Sequence, residues 1–174
     1  MADEPTFLDR VKATGSIIGS DKLNLTGEDL HGEDLTGFQL SKAILSHANL
    51  QNANLEKANL AEATLEWANL QEAKLEEANL AKAKLFSANL HRAEMPNCNL
   101  SEAYLGKADL RDAILTNADL SKAKLNYADL RGTNLEGIKM EGIDLRWARY
   151  NHLTKWPSDL INPSLLGAIL YERE

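Results

Sequence analysis

The chain has 174 residues, enough for one domain, and carries 19 lysines and arginines against 26 aspartates and glutamates, a formal net charge of −7. That balance argues against nonspecific binding to nucleic acid or to an anionic membrane. A lone cysteine rules out an internal disulfide framework. No basic segment followed by an apolar core opens the chain and no transmembrane stretch occurs, so the expected location is the cytoplasm.

Residues 1–22 fall outside any repeat and are read as an N-terminal capping segment. Phe7, Leu8 and Val11 have helical spacing over residues 6–13, and Gly15 could end that helix. Its expected role is to close the near end of the repeat region, since a bare end would expose strand edges.

From residue 24 to residue 150 an apolar residue falls at every fifth position. Leu25 opens the series and Leu145 closes it, with only Met95 and Met140 replacing leucine. Two residues before each stands a small residue, alanine in every repeat from Ala43 to Ala128 except at Cys98. On an α-helix, five residues turn the chain about 140° past a full turn, so these leucines would spiral and bury no face. A continuous strand fails as well, because its sides alternate with period two. The pattern demands a short extended piece, a turn, and another extended piece. Alanine and leucine then point inward, and successive turns stack because none can bury its leucine alone.

The number of sides can be read from the outward positions. Stepping by twenty from Lys42 gives Glu62, Lys82, Glu102 and Lys122, an alternation favourable between strands ~4.8 Å apart. The residue before leucine alternates between Asn/Asp and other types from Asn59 to Asp129. This alternation fits four sides and would scatter on three. Two opposite sides then carry columns, Asn49–Asn69–Asn89–Asp109–Asp129 and Asn59–Asn79–Asn99–Asp119, that can hydrogen-bond one another and the corner backbone. In the first coil Glu28 and Glu33 take inward positions, where an unpaired carboxylate would be costly. They are expected to escape at the rim or to pair with the N-terminal segment. Cys98, at an inward position, is expected to be a buried, unreactive thiol.

The triplets Ala48-Asn49-Leu50, Ala58-Asn59-Leu60, Ala108-Asp109-Leu110 and Ala118-Asp119-Leu120 resemble the A-[D/N]-L-x-x motif of the pentapeptide-repeat family. The resemblance covers about three quarters of the chain. It implies a right-handed, four-sided β-helix over residues 23–150, with about six coils and a length of roughly 30 Å at ~4.8 Å per coil. Thr154-Lys155-Trp156-Pro157 also resembles the tails of cyanobacterial members.

Residues 151–174 are read as a C-terminal capping segment. Asn162 is placed to cap an α-helix starting at Pro163, with Leu165, Leu166, Ile169 and Leu170 on one side. The helix could plug the end of the rod or join two rods as a homodimer, as the resemblance to the gyrase-protecting branch of the family implies.

No catalytic, cofactor or metal constellation is legible. His31, His47, His91 and His152 lack the spacing of a metal site, and no phosphate-cradling glycine motif or nucleophile elbow occurs. The expectation is a protein that is not an enzyme and takes no small-molecule substrate, nucleic acid or membrane directly. What exceeds packing needs is aromatic. On one side stand Trp67, Phe86, Tyr104, Tyr127 and Trp147, with Ile44 and His47, while the other three sides carry no outward aromatic between Leu40 and Leu145. The aromatic residues form a candidate partner-binding stripe. The neighbouring side carries His91, Arg92, Arg111, Arg131 and Arg149, and the side across from the aromatics carries Glu56, Glu76, Glu77, Glu94 and Glu136. The favoured reading is a rigid scaffold for a protein partner. The alternatives are modulation of DNA gyrase by DNA mimicry, which the basic column disfavours, and a structural or stress-tolerance role without a specific partner.

Overall fold

The computed structural model describes residues 23–160 and 162–172. The helix expected over residues 6–13 lies outside them. Within them the chain winds as a four-sided coil in which residue n bridges residue n + 20 in parallel. Four columns result. The first runs Asn24, Ile44, Thr64, Lys84, Tyr104, Lys124, Asp144, and the second runs from Asp29 through Asn49 to Arg149. The third runs from Asp34 through Lys74 to Lys155, and the fourth from Gln39 through Asn59 to Lys139.

Each wall is only long enough for a bridge residue and its neighbours. Leu45 donates its N–H to the Thr64 carbonyl at 2.7 Å, and Thr64 donates back to Ala43 at 2.9 Å. At each corner the chain closes a β-turn, as where Ala43 N–H meets Leu40 C=O at 3.1 Å. The second residue after each leucine adopts left-handed backbone. At the regular corners from Lys42 to Trp147, φ for the non-glycine residues lies between 56° and 64°. That conformation is disfavoured for side chains other than glycine and asparagine. None of these nineteen residues is Val, Ile or Thr, as the clash of a branched Cβ with left-handed backbone requires.

The interior is leucine and alanine stacked on themselves. From Ala43 to Leu130 the inward residues are at most 1% exposed. Bulk at the alanine position is tolerated only near the ends, where Phe38 and Ile143 pack against the core while partly exposed. Glu28 is exposed at the rim and Glu33 half-buried, so Glu28 does escape as its position required. Inward Thr133 and Thr154 are buried with their hydroxyls donating to the carbonyls of Leu110 and Leu130, both at 2.8 Å. Cys98 is 1% exposed, and burial pushes its thiol up to about 12, outweighing a backbone hydrogen bond.

The polar columns hold the corners from outside. Asn49 Oδ1 accepts from Gln51 N–H, and Asn69 Nδ2 donates to that same oxygen at 3.2 Å. This amide ladder climbs Asp29–Asn49–Asn69–Asn89, and a second climbs Gln39–Asn59–Asn79–Asn99. Aspartate has no N–H to donate. Where Asp109 and Asp129 continue the second column, an arginine two residues on takes over, while Asp119 in the fourth accepts from Ser121 N–H and lies 3.6 Å from Lys139. Arg111 binds Asp109 through Nε at 2.8 Å and Nη2 at 2.6 Å, and Arg131 and Arg146 bind Asp129 and Asp144 in the same bidentate way. Burial pushes the Asp109 carboxyl up, but the hydrogen bonds and charge of Arg111, helped by His91, leave it below the usual carboxylate range. The Arg146 hydrogen bond holds Asp144 low, and the Ser121 backbone N–H does the same for Asp119.

The C-terminus departs from the expectation. Winding does not stop at Tyr150. Arg149–Tyr150 (β1) pairs in parallel with Ile169–Leu170 (β2), and Asn134 bridges Lys155, a step of twenty-one. The extra residue sits in the turn after Tyr150. There the Asn151 side-chain oxygen accepts the Gly132 N–H at 3.0 Å, in place of a main-chain carbonyl. The expected α-helix is a 3-10 turn, Pro163–Leu166, capped by Asn162 Oδ1 on Ser164 N–H at 2.9 Å. Gly167 ends it after one turn. Its φ is 86°, and a Cβ there would lie 3.1 Å from the Arg146 backbone. Of the residues expected to pack together, only Leu166 reaches the core, while Leu165, Ile169 and Leu170 are exposed.

Two outcomes are expected from these corners. At exposed Asn52, φ 57°, Asn52→Val is expected to lower unfolding free energy in urea by ~1–2 kcal/mol and Asn52→Gly to change it by only a few tenths. The depressed carboxyls of Asp109, Asp119 and Asp144 contribute stability that is present above the unfolded aspartate value of ~3.9 and lost as pH falls through their folded values. Urea midpoints are therefore expected to drop below about pH 4. Asp109→Asn should show a shallower drop, its amide positioned to continue the ladder from Asn89.

Candidate interaction surface

The five aromatics singled out from the sequence lie along one edge of the column. Trp67, Tyr127 and Trp147 occupy the left-handed corner position between the first and second walls, with φ of 62°, 63° and 64°. Phe86 is the preceding corner residue of its coil, and Tyr104 stands on the first wall. Because the corner backbone turns there, the side chains are thrown outward. Trp67 is 56% exposed, Trp147 57%, Tyr127 51% and Tyr104 44%, while Phe86 is half-buried.

The edge is not one continuous stack. His47 stacks on Trp67 with ring planes 4° apart and centroids at 6.4 Å, and Trp67 meets Phe86 edge-on at 6.0 Å. Gly106 and Lys107 then interrupt the aromatics. A side chain at Gly106 would approach the Phe86 ring to 3.3 Å, and Lys107 instead lays its ammonium 5.5 Å above that ring. Below the gap Tyr127 stacks on Trp147 at 6.4 Å with planes 13° apart. On the wall, Lys124 lies 4.7 Å over Tyr104.

Two shallow grooves flank these rings. The upper, about 320 Å³, is lined by Glu66, Lys84, Phe86 and Tyr104. The lower, about 540 Å³, is lined by Lys107, Tyr127, Trp147, Arg149, Ile169 and Tyr171. Ile169 and Tyr171 were not among the residues expected here. They reach the groove because the chain continues as β2, where a helix was expected. Arg131 and Arg149 lie 5.1 and 5.6 Å over the Tyr171 ring. No signal before the fold was known could have put Tyr171 beside Trp147.

The other corners are paired polar surface. Lys42–Glu62, Lys57–Glu77, Lys82–Glu102 and Glu72–Arg92 meet across adjacent coils at 3.9–4.0 Å. All are well exposed, so each is weak. The arginine column expected to form a basic side is largely neutralised, since Arg111 and Arg131 are taken by Asp109 and Asp129, and Arg149 lies 3.6 Å from Asp129. Among the described residues no group of His, Cys, Asp and Glu could hold a metal ion, and no helix is long and apolar enough to cross a membrane.

A family model described as pentapeptide repeats matches residues 24–61, 58–101 and 98–137. Among solved structures, the chain is 30% identical to Rfr23, a pentapeptide repeat protein from the cyanobacterium Cyanothece 51142, covering 86% of this chain and 96% of that one with a TM-score of 0.42. It is 27% identical to HetL, a pentapeptide repeat protein involved in heterocyst differentiation regulation in the cyanobacterium Nostoc sp. strain PCC 7120, over 81% and 92% of the two chains at a TM-score of 0.30. Identity to QnrB1, a plasmid-mediated fluoroquinolone resistance protein, is 21% over 88% and 93%, at a TM-score of 0.34. No curated protein matches. With repeats matched across residues 24–137 and the four-sided stacking seen on every wall, the chain belongs to the pentapeptide repeat family, whose members form right-handed quadrilateral β-helices.

Proposed function

We propose that this protein is a non-enzymatic scaffold that presents its aromatic edge, Trp67, Phe86, Tyr104, Tyr127 and Trp147, to a protein partner. One observation carries the reading. Trp67, Tyr127 and Trp147 sit where the backbone is left-handed and the side chain exposed. Glycine or asparagine would be easier to hold there, and the leucine–alanine interior is complete without them. Neither turn chemistry nor core packing accounts for three large aromatics at that position. Large aromatic side chains are the usual anchors of protein interfaces. The coils beneath them hydrogen-bond to one another on every wall, and a surface ordered before binding lowers the ordering cost.

A second reading, self-association, is supported by the C-terminal end, where Leu153, Leu165 and Leu170 are exposed together with the outer edge of β2. Trp67→Ala with Tyr104→Ala is expected to leave β-sheet circular dichroism and the urea midpoint unchanged while weakening partner capture by at least about tenfold, ~1.4 kcal/mol. Sedimentation of the same pair, beside Leu165→Asp with Leu170→Asp, separates the two readings. If capture and sedimentation are both indifferent to the aromatic pair, the edge is not an interface.

A further inference from the structure

The aromatic edge is also cationic, in a chain whose net charge is −7. Lys84, Lys107 and Lys124 line the same wall and corner as the rings. Among the described residues none of the three has a carboxylate within ion-pair distance, whereas Lys42, Lys57 and Lys82 at other corners meet glutamates of the adjacent coil. Lys107 and Lys124 instead lie over the faces of Phe86 and Tyr104. Asp144, whose carboxylate Lys124 faces, is already held bidentately by Arg146. The upper groove contains one carboxylate, Glu66. The lower groove thus joins aromatic surface to cations with no carboxylate in its lining, and in the upper one Lys84 is set against Glu66 alone.

The two grooves lie one above the other along the rod. The upper centres between the coils of Lys84 and Tyr104, the lower near those of Tyr127 and Trp147. Two coils separate them, about 10 Å at ~4.8 Å per coil. Three residues of polyproline-II chain cover ~9 Å and return a side chain to the same face. Building on the scaffold reading, we infer that the aromatic edge binds an acidic, extended segment of its partner, seating an apolar side chain in each groove and carboxylates against Lys84, Lys107 and Lys124. A single-stranded nucleic acid would also meet rings and cations. Nucleic-acid binding calls for a continuous basic channel along the backbone, and here Glu66 stands in the upper groove while Arg111 and Arg131 are taken by Asp109 and Asp129, so the isolated lysines beside apolar grooves favour the peptide.

The test uses the full chain and a labelled peptide of Glu and Pro carrying two Phe residues three apart. Fluorescence anisotropy and the emission of exposed Trp67 and Trp147 report binding. The acidic peptide is expected to bind, to weaken as salt rises from about 0.05 to about 0.3 M, and to exceed its lysine counterpart by at least about tenfold. Lys107→Glu with Lys124→Glu should cost at least about tenfold with an unchanged urea midpoint, and Lys107→Gln with Lys124→Gln a smaller part of it. Equal binding of the lysine peptide, indifference to the charge reversal, or binding of an oligothymidine in place of the peptide overturns the inference. If the peptide fails but Trp67→Ala with Tyr104→Ala still abolishes partner capture, the scaffold reading stands and the acidic-segment inference falls.

Discussion

A single coil of this chain is not a structure. Its walls are too short to hydrogen-bond within themselves, and its leucines have nothing to pack on until another coil lies above and below. Leu45 N–H needs Thr64 C=O, and the Leu45 side chain lies in a column with Leu25 and Leu65. Every other feature of the molecule derives from that dependence. Register is held at twenty residues because a slip of one would turn alanine and leucine outward. Alanine precedes leucine because two inward side chains per wall leave room for only one large one, and bulk returns only where the column opens at Phe38 and Ile143.

The outer surface obeys a second requirement set by the first. Stacking at one coil per strand spacing forces like positions on top of each other, so every outward choice is repeated vertically. Asparagine solves this by donating to the oxygen below while that oxygen also accepts from its corner. Aspartate cannot, and the arginines at 111 and 131 appear where it replaces asparagine in the second column, while Asp119 in the fourth is met by Lys139. The same vertical repetition turns aromatic residues at one corner into an edge. An interruption at Gly106 and Lys107 divides that edge into two ring clusters with a cation between them.

The proposed function rests on a contrast between walls. Elsewhere on the rod Lys42, Lys57 and Lys82 pair with glutamates of the next coil and amide ladders climb two walls, which leaves less for a partner to gain by covering them. The aromatic side leaves rings exposed, with Lys107 and Lys124 lying over ring faces and, among the described residues, outside ion-pair distance of any carboxylate. Affinity at such a surface comes from desolvating the rings, and selectivity from the cations around them.

Most of the coil was legible before any coordinates. Leucine at every fifth residue, alanine two before it, and the twenty-residue alternation of Lys42, Glu62, Lys82, Glu102 and Lys122 specify a four-sided stack because local backbone geometry and vertical repetition leave no other arrangement that buries those side chains. The edge on which Trp67, Tyr104 and Tyr127 stand came from the same arithmetic. Two things were decided only by the folded chain. After Tyr150 the spacing lost its period, so nothing local showed that the strand would resume at Lys155 and again at Ile169. The leucines of residues 163–170 have helical spacing, but Gly167 is drawn against the Arg146 backbone and the open edge of Arg149–Tyr150 offers hydrogen bonds that a one-turn helix cannot. The grooves, with Tyr171 beside Trp147 and lysines laid over rings, likewise depend on contacts between residues far apart in the chain, and such contacts exist only after the coils have closed on one another.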